Sequence, residues 1–171
     1  MNLTQFQTLS KRTMPFGGEP ANQVEFENML GNYAMGLVGE TMEFALAQQK
    51  GETDEIIKEA GDVLHYCVGL LSCLGEKVDY QLIYESEMNH ETVAVAMSNI
   101  LEIPKKHIYH RHELQKDELV KAVHIVIKGY TDSSDKETLS EIMQRNIEKL
   151  KKRYPDKFSV EDSIKRVDVN G

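Results

Sequence analysis

Four carboxylates carry the clearest chemistry in this sequence. Glu40 and Glu43 form one pair, spaced E-x-x-E, and Glu59 and Asp62 form a second, spaced E-x-x-D. Residues three apart on a helix share a face, so each pair points two carboxylates the same way. Around the first pair lie Leu37, Val38, Phe44 and Leu46; around the second lie Ile56, Ile57, Val63, Leu64, Val68, Leu70 and Leu71. Ionised carboxylates crowded beside apolar surface are disfavoured by desolvation and by mutual repulsion. A hard divalent cation relieves both, and Mg²⁺ takes oxygen ligands from a few carboxylates, waters and substrate phosphates. One such pair alone reads as an ordinary acidic helix face, since Glu is a good helix former. Two pairs on adjacent helices point to a metal site.

The elements that must position these acids are two antiparallel helices, Gln23 to about Gln49 and a second capped by Thr53 or Asp54 and running to about Leu74. The turn between them contains Gly51, and Gly75 ends the second helix. Gly36 and Gly39 inside the first helix weaken it and imply close approach of another helix or a ligand. Upstream, residues 3–13 read as a short helix and Phe16–Asn22 as a loop. Downstream, helical patterns cover Tyr80–Asn89, Glu91–Glu102 and Lys116–Lys128, with Pro104 breaking the chain after the second. A closing helix starts at a cap among Ser133, Ser134 and Asp135 and runs to about Arg153, where Tyr154-Pro155 stops it. Residues 156–171 read as a polar, irregular tail tucked down by Phe158 and Ile164. No strand-period run stands out, so the expected class is an all-α helical bundle.

An internal echo runs through the chain. DEIIKEAGDVL (Asp54–Leu64) aligns with DELVKAVHIVI (Asp117–Ile127), which sets Glu59 against Ala122 and Asp62 against Ile125. Upstream, a different offset sets Glu40 against Asn99 and Glu43 against Glu102. Amphipathic helices align by chance often enough to explain this; the alternative is a duplicated hairpin within 76–130 that kept its packing and lost its acids.

At 171 residues the chain fits one domain, and 40% apolar with 28% charged residues describes an ordinary globular protein. A net charge of −8 argues against a general nucleic-acid binder. No apolar run approaches a membrane span, and no signal-peptide core is present. Cys67 and Cys73, six apart on one helix, are badly placed to bridge each other and read as buried, reduced thiols of a cytoplasmic protein. Lys149 and Arg153 are i,i+4 and present two cations on one face, either a phosphate clamp or a solvated basic helix end. His107, His110 and His112 match no zinc spacing and read as a solvated loop.

GLVGETMEF (Gly36–Phe44) and EAGDVLHY (Glu59–Tyr66) resemble the MazG-like branch of the all-α nucleoside triphosphate pyrophosphohydrolases, and NIEKLKKRYPDKFSVEDSIKR (Asn146–Arg166) resembles the end of the same family. The middle of the chain is only weakly similar. The resemblance implies a helical bundle of the all-α NTP pyrophosphatase type, and cleavage of a (deoxy)nucleoside triphosphate between its α and β phosphates. It implies Mg²⁺ as the ion, with Mn²⁺ as a substitute, held by Glu40, Glu43, Glu59 and Asp62. Glu40 or Glu43 would take the proton of the attacking water. Tyr66 and Asn32 match positions near the substrate, and Asn146, Lys149, Arg153 and Tyr154 follow the family's N-x-x-K-x-x-x-R-Y arrangement. The family also implies a homo-oligomer, dimer or tetramer. For the base, with no Trp in the chain, Phe6, Phe16, Phe26 and Tyr33 are the candidate platforms. Two other readings compete: a related dUTP/dCTP-specific hydrolase, and a non-catalytic helical interaction protein indifferent to Mg²⁺ and nucleotide.

Overall fold

In a computed structural model of the chain, residues 1–165 are described, the side chains of Lys136 and Glu137 excepted. The described residues form eight α-helices, in order α1 (Leu3–Ser10), α2 (Gln23–Lys50), α3 (Thr53–Cys73), α4 (Tyr80–Glu85), α5 (His90–His110), α6 (Lys116–Ser133), α7 (Lys136–Arg153) and α8 (Val160–Lys165). Two 3-10 turns, Lys11–Thr13 and Pro15–Gly18, join α1 to α2. The described residues contain no strand, and the class is all-α.

The α2–α3 hairpin is the spine. Asn22 caps α2 by accepting from the Glu25 N–H at 3.0 Å, and Gly51 ends it in the left-handed region at φ 72°. Leu30, Leu37, Leu64, Leu70 and Leu71 from the two arms are fully buried, each contributing about 1.5–3 kcal/mol of apolar burial. Two reciprocal contacts set how closely the arms approach. The Tyr66 ring of α3 lies over Gly36 of α2, where an added Cβ would come within 2.0 Å of the ring; the Tyr33 ring of α2 lies over Gly69 of α3, at 2.3 Å. Gly39, by contrast, has nothing within 4 Å. It belongs to an exposed stripe of α2 with Met35, Met42 and Leu46, at 63, 58 and 55% exposure. The close approach expected at both glycines holds only at Gly36.

A second hairpin, α5–α6, lays α5 on α2 and α6 on α3, while α1 and α7 also pack on α3. A cleft of about 390 Å³ opens beside α5 and α6, and it contains Asn99, Ala122 and Ile125, the positions the echo aligns with Glu40, Glu59 and Asp62. His124 ties the start of α4 to α6: it is fully buried, its Nε2 accepts from the Asp79 N–H at 2.9 Å, and its Nδ1–H donates to the Val120 carbonyl at 2.8 Å.

Several expected boundaries move. Pro104 does not end a helix. It is buried inside α5, which continues to His110 and closes on Arg111 in the left-handed region, so packing outweighs the one backbone hydrogen bond a proline forfeits. His107 and His110 therefore sit in the last turn of α5, not in a loop. Glu52, rather than Thr53 or Asp54, is the cap residue of α3, and its side chain makes no capping bond. α1 stops at Ser10, and the expected loop 16–22 begins inside a 3-10 turn. α4 stops at Glu85, and α6 runs on to Ser133. The closing helix is capped as expected by Asp135, which accepts from the Thr138 N–H at 2.7 Å. The tail is not irregular throughout: Val160–Lys165 forms α8, with Ile164 exposed instead of tucked in. Phe158 does pack, against the Tyr154 ring at 5.3 Å. Residues 166–171, the end of the expected tail and of the 146–166 run, lie outside the described residues.

Candidate functional site

The hairpin brings three of the four acids together. Carboxylate oxygens of Glu40, Glu43 and Glu59 all lie within 4.8 Å of one another, and they are the group of His, Cys, Asp and Glu side chains close enough to share a cation among the described residues. Glu59 is 4% exposed and accepts from Lys58 Nζ at 2.8 Å; the same ammonium reaches Glu55 at 2.7 Å. Burial, then the charge of Asp62, then a hydrogen bond with Glu59 push the Glu40 carboxyl up to about 8. Such a proton-holding carboxyl marks negative charge in excess of what the surroundings solvate.

The fourth acid faces α7. Asp62 accepts from Asn146 Nδ2 at 2.7 Å, and Lys149 Nζ donates to both of its oxygens. Gly61 makes this possible: a Cβ there would lie 3.0 Å from Asn146 Cβ and 3.3 Å from the Ile142 carbonyl, so α7 can sit close against α3. The oxygen of the same Asn146 amide, Oδ1, is buried without a partner.

A cavity of about 450 Å³ opens beside these groups, within the range of small-molecule sites. Glu40, Asp62, Lys149, Arg153, Tyr66, Tyr154 and Asn32 all line it. Asn146 stands behind Asp62, and Glu43 and Glu59 stand beside Glu40 outside the cavity wall. No protein-family model, curated protein or solved structure matches the chain. The chemistry of the site is therefore read from its own side chains.

Burial, followed by the nearby charges of Glu40 and Asp62, pushes the Tyr66 hydroxyl up to about 12, so it stays a neutral donor. His65, one turn past Asp62, also lines the cavity. Burial lowers it to about 4, which keeps it neutral, and its Nδ1 is sealed off without a partner. Of the aromatic candidates, Phe16 and Tyr33 line the cavity, whereas Phe6 is fully buried in the core and Phe26 packs edge-on against His107 at 6.0 Å. The three histidines gather no cation site: His107 Nδ1 lies 2.9 Å from the His112 carbonyl oxygen.

Sequence reasoning passed over Thr13, Asn28, His65, Phe158 and Ser163, all of which line the cavity. His65 was within reach, since it follows Asp62 by one turn. Phe158 carried no local signal, because it is held at the site by a bond to the Arg12 carbonyl at the other end of the chain. Cys67 and Cys73 are both free thiols, raised by burial. Among the described residues no helix is long and apolar enough to cross a membrane.

Proposed function

We propose that this chain is a Mg²⁺-dependent, MazG-like nucleoside triphosphate pyrophosphohydrolase of the all-α type. The observation that carries the reading is one cavity lined both by the acids Glu40 and Asp62 and by the cations Lys149 and Arg153, with Glu43 and Glu59 beside Glu40. This pairing suits an anionic substrate bound through a cation. The donor set fits the ion: all-oxygen, largely carboxylate, crowded enough to hold a proton on Glu40, with an unpartnered Asn146 carbonyl oxygen close by.

Glu40, Glu43 and Glu59 would hold the cation, with Asp62 joining them when Lys149 leaves it. Bound there, Mg²⁺ or Mn²⁺ supplies Lewis acidity and counter-charge for the phosphates. Lys149 and Arg153, one turn apart on α7, bind the polyphosphate. Tyr66, whose family counterpart approaches the phosphates, and the neutral His65 ring line the same cavity. Glu43, or Glu40 once its own proton has left, accepts a proton as water attacks the α-phosphorus; the new P–O bond replaces the bond to the bridging oxygen, and pyrophosphate leaves. The exposed stripe of Met35, Gly39, Met42 and Leu46 supports self-association as a homo-oligomer.

The test is product analysis of a panel of NTPs and dNTPs, with and without Mg²⁺, beside Glu59→Gln. The expected products are monophosphate and pyrophosphate, metal-dependent and lost in the variant. Turnover confined to dUTP and dCTP would identify the narrower hydrolase. Orthophosphate release would mean different chemistry. No turnover, with no thermal shift by Mg²⁺, would favour a helical interaction protein.

A further inference from the structure

Two ammonium groups stand on the acids where a metal ion would. Lys58 Nζ donates to Glu59 at 2.8 Å and to Glu55 at 2.7 Å, and Lys149 Nζ donates to both oxygens of Asp62. Both lysines, with Asp54, Arg145 and Asn146, line a second pocket of about 170 Å³ formed by α3 and α7. That space is many times the roughly 10–15 Å³ that one water requires. Arg145, Lys149 and Arg153 succeed one another at i,i+4 along one face of α7. Arg145 belongs to the small pocket, Arg153 to the large cavity, and Lys149 lines both.

The charge balance of the small pocket depends on what holds the acids. In the chain alone its cations are matched: Lys58 by Glu55 and Glu59, Lys149 by Asp62, and Arg145 by Asp54 at 3.3 Å and Glu141 at 2.7 Å. These partners are unequal. Glu59 is buried and Asp62 mostly so, whereas the Asp54 side chain is 92% exposed and Glu141 half exposed. Ion pairs between groups so exposed contribute little, so Arg145 is held loosely. A divalent cation taken up by Glu59 and Asp62 withdraws the buried partner of Lys58 and the partner of Lys149. Two ammoniums and a guanidinium then surround one pocket with surface carboxylates alone to answer them, and an anion placed among them relieves their mutual repulsion.

We propose that this pocket is an inorganic phosphate site, opened when a cation occupies the acids. A guanidinium fork grips two oxygens of a tetrahedral oxyanion while the two ammoniums act as point charges on the others. The inference rests on the part of the proposed function in which Glu59 and Asp62 take a cation, and it requires no nucleotide. Its consequence is reciprocal. Phosphate that keeps Lys58 and Lys149 off the acids tightens the cation by the same factor by which the cation tightens phosphate.

The experiment is calorimetry on the full chain: phosphate binding with and without Mg²⁺, and Mg²⁺ binding with and without phosphate. Saturating Mg²⁺ is expected to tighten phosphate about 5- to 150-fold, and saturating phosphate to tighten Mg²⁺ equally. Asp62→Asn frees Lys149 with no metal present, so in EDTA it should bind phosphate more tightly than wild type. Adding Arg145→Gln to Asp62→Asn, or to Mg²⁺-loaded wild type, should abolish the gain. Adding Arg153→Gln should leave it, which separates this pocket from phosphate seated in the large cavity. A gain that survives Arg145→Gln, or that Arg153→Gln removes, overturns the inference. So does binding of Mg²⁺ and phosphate with no effect on each other, or a folded Asp62→Asn protein no better than wild type. If the thermal midpoint shows Asp62→Asn unfolded, Arg145→Gln in the Mg²⁺-loaded chain decides alone. Coupled binding in a chain that hydrolyses no NTP overturns the pyrophosphohydrolase reading and keeps this one. NTP turnover without coupled binding does the reverse, and a wild type that binds no Mg²⁺ overturns both.

Discussion

Replacing Gly36 by alanine sets two known quantities against each other. In a helix interior, alanine is favoured over glycine by about 1 kcal/mol. At Gly36, however, the new methyl group would meet Tyr66 Cε1 at 2.0 Å and Cδ1 at 2.5 Å. Ordinary carbon contacts lie near 3.5–4.0 Å, so the ring must retreat by roughly 1.5 Å or more. It has little room, since Tyr66 leans on Tyr33 at 5.8 Å between centroids, and Tyr33 is itself pressed over Gly69. Overpacking of this kind costs about 1–3 kcal/mol, which leaves Gly36→Ala between about equal to wild type and about 2 kcal/mol less stable, a fall in Tm of up to roughly 8 °C. Gly39→Ala, one turn along the same helix, meets nothing within 4 Å and should gain about 1 kcal/mol, or roughly 2–4 °C. The assay is paired thermal and urea denaturation, with nucleotide KM as a second readout, because the Tyr66 ring moves only by encroaching on the cavity it lines. A Gly36→Ala protein stabilised by the full helix-propensity gain of about 1 kcal/mol, as Gly39→Ala should be, would refute the locking role of Tyr66. A destabilised Gly39→Ala protein would mean that another surface covers that face of α2.

Two further outcomes are expected. Lys149→Met removes the ammonium that competes for Asp62, so Mg²⁺ should bind more tightly by calorimetry while KM for nucleotide rises about 10-fold or more, the loss of a charge-assisted bond; weaker Mg²⁺ binding would contradict this. In EDTA, folded Glu40 keeps its proton up to about pH 8, whereas the unfolded chain releases it near 4.5; the folded state thus binds the extra proton, and stability is lost as pH rises through that window. Urea midpoints of Glu40→Gln should therefore pull ahead of wild type between pH 5 and 8, and a constant difference across that range would count against the crowding of the acids.

The acid pairs and their hairpin were legible because both follow from local periodicity: E-x-x-E on a helical face, a glycine to end one arm, apolar residues at helical spacing. The cations of α7 were legible for the same reason. What local pattern could not convey was partnership across helices. Nothing near Asp62 announces that Lys149 and Asn146 will hold it, leaving three acids where four were grouped. Pro104 misled because its local preference for ending a helix was outweighed by burial against the bundle. Phe26 and Phe16 are both aromatic residues in or beside α2, and only the fold assigns one to a histidine ring and the other to the cavity. α8 was missed because its six residues are too few to show a helical period, and it packs on α7.

The bond between Arg12 and the carbonyls of Pro155 and Asp156 joins segments separated by 143 and 144 positions. During synthesis the chain emerges from its N-terminus, so α2 and α3 can pair, and the acids can gather, long before Phe158 exists. The cavity wall from Phe158 onward is the last part of the site to be made. A partly synthesised chain would thus already concentrate negative charge at one end of an open trough while lacking the surface that recognises the rest of a ligand. On the proposed reading, recognition of the rest of a ligand would wait until the chain through Phe158 has been made, later than the gathering of the acids.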